Sequence, residues 1–134
     1  MSSLTLYFSN AAAVISYASA GYIRLDWQPT AVTAPELRAI YEHVLRAMLH
    51  HQASALMTVH NRRPPMPPEV QTWLTENWIP RAVATVGYGR CAIVQAEMPL
   101  SRLAARSVGT SQKTPLRYQY FENETTADSW LREA

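Results

Sequence analysis

Thr33-Ala-Pro-Glu-Leu-Arg-Ala-Ile-Tyr-Glu-His-Val-Leu-Arg-Ala-Met48 is the stretch from which the rest of the chain can be read. It opens as a capping box: the Thr33 hydroxyl is placed to accept a free backbone N–H, and Glu36 three residues on is placed to reach back. Leu37, Ile40, Tyr41, Val44, Leu45 and Met48 then recur at helical spacing and draw a single apolar stripe. Arg38, Glu42, Arg46 and His50 fall on the other side. The spacing predicts a helix that ends near Gln52 and lies with one face on a core.

On either side of that helix the period changes from helical to alternating. Leu4 to Ser9, Val14 to Ala18 and Tyr22 to Trp27 are short runs rich in aromatic and β-branched residues, separated by Asn10-Ala-Ala and by Gly21. They read as three strands of an antiparallel meander. In the third, Tyr22, Arg24 and Asp26 alternate with Ile23, Leu25 and Trp27, which gives one wet and one buried face. Downstream, Ala53 to His60 reads as a buried strand and Glu69 to Ala84 as a second helix. Pro80 should kink or break that helix near Asn77 to Ile79, because it lacks the donor and crowds the preceding turn. Arg90 to Ala96 reads as a central strand, Pro99 to Val108 as a short helix and Leu116 to Glu122 as the last strand. Thr125 to Glu133 closes the chain as a helix capped by Thr125. The order βββαβαβαβα predicts an α/β domain with four helices and a mixed, mostly parallel sheet carrying antiparallel N-terminal strands.

The totals set limits on function. A chain of 134 residues holds one domain, 1–134. With 12 Lys+Arg against 10 Asp+Glu and no basic cluster, a nucleic-acid partner is not expected. No apolar run reaches bilayer length, and no secretory signal opens the chain, so the reading is cytoplasmic with no membrane partner. The one cysteine, Cys91, rules out an internal disulfide and fits a reducing compartment.

Three blocks carry a family likeness: Trp73-Leu74 with Trp78-Ile-Pro-Arg81, then Gly87-Tyr-Gly-Arg-Cys-Ala-Ile-Val94, then Tyr120-Phe-Glu-Asn-Glu-Thr-Thr-Ala-Asp-Ser-Trp-Leu131. With the element order they resemble the STAS/SpoIIAA-like superfamily, the fold of anti-sigma factor antagonists and sulfate-transporter tails, and in particular its small bacterial members. The resemblance implies a non-enzymatic protein-interaction or regulatory module. Antagonists of that family carry a phosphorylatable serine or threonine at the start of the helix that follows the strand matching Ala53–Val59. Here the place is taken by His60-Asn-Arg-Arg-Pro-Pro-Met-Pro-Pro68, with no hydroxyl residue between Thr58 and Thr72. The phosphorylation switch is therefore expected to be missing.

No catalytic motif is complete. Ser101 and Ser107 lack elbow glycines, Asp26, Glu97 and Asp128 form no recognisable pair, and four glycines cannot build a phosphate-cradling loop. His43, His50, His51 and His60 have no metal spacing, and no cofactor or metal is expected. Cys91 reads as a buried, unreactive thiol.

Two sites remain as candidates. One is a partner-binding ridge of Arg62, Arg63 and Met66 in the proline-rich loop, joined by Trp78 and Arg81, for an acidic protein partner or a second copy in a homodimer. The alternative is a site for a lipid or apolar acid beneath the second helix, lined by Trp73, Trp78, Tyr88 and Met98.

Overall fold

The computed structural model describes residues 3–28, 32–59, 67–94 and 116–132. Six strands, β1 (Leu4–Ser9), β2 (Ala13–Ala18), β3 (Tyr22–Trp27), β4 (Ala55–Val59), β5 (Arg90–Val94) and β6 (Arg117–Phe121), form one sheet in sequence order. β1, β2 and β3 pair antiparallel, and β3, β4, β5 and β6 pair parallel. The helices are α1 (Ala34–His51), then α2 (Pro68–Trp73), a π segment (Leu74–Trp78) and α3 (Ile79–Val86) in unbroken succession, and finally α4 (Glu124–Arg132). Among the described residues this makes three helical bodies rather than the four expected. The expected helix Pro99–Val108 falls outside the described residues.

Local chemistry accounts for each junction. Asn10 ends β1 by accepting the N–H groups of Ala12 and Ala13 through Oδ1, both at 2.9 Å, which turns the chain into β2. Gly21 turns β2 into β3 at φ 106°, a backbone region closed to most side chains. The capping box of α1 is present: Glu36 N–H donates to Thr33 Oγ1 at 3.3 Å and Thr33 N–H to Glu36 Oε1 at 3.0 Å.

Pro80 does not break its helix. The turn ahead of it widens instead, with Ile79 N–H donating to the Leu74 carbonyl five residues back. A π turn absorbs the crowding that a proline imposes one turn upstream. It also serves packing. Val70, Leu74, Trp78 and Ala82 are all buried at four-residue intervals, a spacing that drifts by about 40° per step in an α-helix. The wide turn takes back part of that drift and keeps all four on the core side.

Because β3, β4 and β5 advance steadily across the sheet, right-handed crossovers lay the two helical bodies between them on one face. α1 and the α2–α3 body both pack there, over Ile15, Ile23, Leu25, Trp27, Leu56 and Ile93. The opposite face carries a smaller cluster of Met57, Val59, Ala92, Val94 and Phe121, covered by Ala127 and Leu131 of α4. The main core is therefore one-sided. Among the described residues α4 is the helix that covers β4, β5 and β6 on the opposite face.

Two details differ from the sequence reading. The cap of α4 is Asn123, whose Oδ1 accepts Thr126 N–H at 2.9 Å, so Thr125 falls inside the helix and not at its start. Tyr22, read as part of a wet face, is 4% exposed, because α4 comes down over it. Among the described residues, no helix is long and apolar enough to cross a membrane.

Candidate functional site

Of the β3 side chains that alternate away from the main core, Tyr22 and Arg24 meet α4 along an open cleft of about 270 Å³. Tyr22, Arg24 and Met57 form its floor, Leu4 of β1 one bank, and Glu124, Thr125, Asp128 and Arg132 of α4 the other. The α4 bank exists because positions 124, 128 and 132 recur at four-residue intervals and share one side of the helix.

These groups form two linked polar clusters. In the first, Tyr22 Oη donates to Asp128 Oδ1 at 2.6 Å, and Arg132 Nε donates to Asp128 Oδ2 at 2.6 Å. In the second, Arg24 grips Asp26 with Nε and Nη2 at 2.8 and 2.9 Å and also pairs with Glu124. Burial opposes ionisation of Asp128, but the bonds from Tyr22 and Arg132 outweigh it and hold the carboxyl below its ordinary 3.8. Burial, followed by the bond to Asp128, pushes the Tyr22 hydroxyl far above its ordinary 10.0. Burial likewise disfavours the charge on Arg24, yet Asp26 and Glu124 raise its pKa overall. At neutral pH the cleft thus presents a neutral phenol and fixed charges of both signs.

The sign of the resulting pH dependence follows by linkage. Asp128, with its pKa lowered by folding, contributes stability above pH 3.8 that is lost as pH falls through its folded value. Tyr22, with its pKa raised, contributes stability below pH 10.0 that is lost as pH rises further. We expect Trp130 fluorescence in α4 to hold steady from about pH 5 to about pH 9 and to change at both extremes. In Tyr22→Phe the alkaline change should shrink, leaving the share due to buried Cys91 and Tyr88, and the carboxyl titration of Asp128, followed by NMR, should move upward. An Asp128 titration that does not respond would contradict the assignment.

The far end of α4 is held by Arg90. Its guanidinium lies 5.0 Å from the Trp130 ring centroid, and Nη1 donates to the Trp130 carbonyl at 2.5 Å. A cation near the carbonyl end of a helix also favours the helix dipole.

Of the residues singled out from sequence, Trp73, Trp78, Arg81 and Tyr88 fall among the described residues. Arg62, Arg63 and Met66 lie in 60–66, and Met98 in 95–115, outside the described residues. Their loop leaves from Val59, which is in register with Asp26, Val94 and Phe121, the rim where the parallel strands end. Trp78, expected at an interface or in a ligand pocket, is 1% exposed and donates its indole N–H to the Tyr41 carbonyl at 2.8 Å. It has no surface to offer a partner. Arg81 is exposed, but it forks onto Glu42 at 3.0 and 2.5 Å and holds Asn77 at 2.9 Å.

Trp78 and Tyr88 are buried and Trp73 is partly buried against the same core. Trp73 and Trp78 pack with Tyr41 at ring separations of 6.4 and 5.2 Å, and Tyr88 packs with Trp78 at 5.6 Å. Cys91 is buried beside Tyr88, and that burial raises its thiol to about 11, which leaves almost no thiolate at neutral pH. The histidines stack on aromatics of the first two strands: His43 on Phe8 and His51 on Tyr17, each at 4.1 Å. Among the described residues no three His, Cys, Asp or Glu side chains converge on a metal position.

Sequence reasoning missed the α4 bank, and it missed the exposure of Leu4 and Leu6 at 49% and 63%. The alternation of Tyr22, Arg24 and Asp26 was visible, but nothing in the order of elements said which helix would meet it. No family model, no curated protein and no solved structure matches this chain.

Proposed function

We propose that the chain is a non-enzymatic protein-interaction or regulatory module of STAS-like type, working in the cytoplasm without the phosphorylatable serine of the antagonists, and that β1 with the adjoining cleft is its binding surface. The observation that carries this reading is the exposure of Leu4 and Leu6 on a sheet edge beside paired charges of both signs. Exposed aliphatic groups next to a polar rim suit a protein segment, which brings apolar side chains and charges together. The strand order, antiparallel then parallel, supports the STAS-like assignment. The other reading, a site for a lipid or apolar acid, loses support because Trp78 and Tyr88 are 1% and 3% exposed and fill the space such a ligand would need.

The test is crosslinking in native lysate with the wild-type chain and a Leu4→Glu/Leu6→Glu double variant. We expect the crosslinked species of the wild type to disappear in the variant, while the circular dichroism of the two proteins is the same. Identical species from both would remove β1 from the binding surface. A small apolar ligand retained in native mass spectra would restore the other reading.

A further inference from the structure

Building on this interaction-module reading, we propose that the occupant of the β1 edge is a second copy of the chain, docked by antiparallel pairing of the two β1 strands about a two-fold axis through Thr5.

Among the described residues β1 has one strand neighbour, β2, and residues 3–6 are all exposed. Open edges in monomeric proteins are usually guarded by charge or proline. The opposite edge has such guards, since β6 begins at exposed Arg117 and is followed by exposed Glu122. β1, Leu4-Thr-Leu-Tyr-Phe-Ser9, has neither a charge nor a proline.

The backbone fixes the register. The Ser3 carbonyl accepts Ser19 N–H at 2.9 Å, so Ser3 and, by alternation, Thr5 direct their main-chain groups at β2. Leu4 and Leu6 direct theirs at the open edge. A register shift between Leu6 and Phe8 interrupts the ladder beyond that point, leaving Leu4 to Leu6 as the regular stretch. An axis through Thr5 sets Leu4 opposite Leu6 of the second copy, and Leu6 opposite Leu4. Each of those pairs exchanges two N–H···O=C bonds, and the leucines, 49% and 63% exposed in one copy, pack against each other across strands.

A segment that is uncharged and symmetric in this way complements itself. A two-fold contact requires that property and a contact with an unrelated protein does not. The stretch is short, so the dimer is weak and reversible.

Thr5 then faces Thr5 of the second copy as a closely spaced, non-hydrogen-bonded pair, with Cα atoms about 4.5 Å apart. That spacing admits a disulfide. On mild oxidation Thr5→Cys should form a covalent dimer much faster than Ser129→Cys on exposed α4; native Cys91 is buried and does not contribute. In sedimentation equilibrium the wild type should double its mass as concentration rises, and Leu6→Glu should raise the dissociation constant at least about tenfold. All three substituted positions, Thr5, Leu6 and Ser129, are exposed, and circular dichroism checks that the variants fold. A wild type that stays monomeric, a Thr5→Cys chain that crosslinks no faster than Ser129→Cys, or a Leu6→Glu chain that dimerises like the wild type would overturn the inference. If any of these occurs while Leu4→Glu/Leu6→Glu still abolishes crosslinks to other proteins, the interaction-module reading stands and the second copy alone is excluded.

Discussion

Replacing Trp78 with alanine should lower the thermal midpoint by about 10 °C or more, the largest effect expected of any single substitution in this chain. Trp78 is the largest fully buried side chain, and truncating a buried Trp costs about 3–5 kcal/mol. Its surroundings cannot collapse into the space, because Tyr41 and Tyr88 are held by other contacts of their own: Tyr41 packs against Trp27, and the Tyr88 hydroxyl bonds Cys91. The indole also fixes α1 to the π segment through the Tyr41 carbonyl. Trp78→Phe restores most of the volume but not that bond, so it should fall between wild type and alanine, about 1–2 kcal/mol below wild type. Calorimetry of the three proteins decides the matter. An alanine variant that melts within about 2 °C of wild type would mean that Trp78 is not a core anchor.

Leu131→Ala should act differently, releasing one element and sparing the rest. α4 has nine residues, too few for a helix to persist alone in water. Its buried residues are Ala127 and Leu131, with Trp130 packed beside them on Phe121, so the leucine is the largest side chain that α4 buries fully in the sheet. Truncating a buried leucine costs about 2–5 kcal/mol. We therefore expect amide exchange across Glu124–Arg132 to accelerate by about 30-fold or more while α1 and the π segment keep their wild-type protection. Tyr22 and Arg24 would lose Asp128 and Glu124 at the same time, and the cleft would lose one bank. Exchange that accelerates equally throughout the molecule would show instead that α4 unfolds only with the whole domain.

The sequence disclosed more of the scaffold than of the site, for physical reasons that differ by element. The α1 stripe and its capping box are local signals, complete within one segment, and the helix forms where they place it. β1, β2 and β3 were visible because alternation and turn residues also act locally. Pro80 was legible as a perturbation, but the outcome depended on Tyr41 and Tyr88, distant in sequence, which make the buried position of Trp78 favourable and select a widened turn over a break. The same distant contacts took Trp78 out of the surface. The α4 bank was illegible for a related reason. Glu124, Asp128 and Arg132 look like an ordinary solvated helix side until β3 supplies Tyr22 and Arg24, more than ninety residues earlier in the chain. Leu4 and Leu6 were legible only as members of a strand. Only the strand order shows that, among the described residues, β1 stands at the edge and no helix covers the outer half of its α4-side face.

The claim on which the functional account depends is that the outward backbone of β1 is a pairing surface. Residue-resolved amide exchange at low and at high protein concentration tests it most directly. We expect the Leu4 and Leu6 amides to gain protection as concentration rises, while the Thr5 amide, already directed at β2, stays unchanged. Leu4 and Leu6 amides that exchange at one rate across the whole concentration range, with or without a binding partner present, would contradict it.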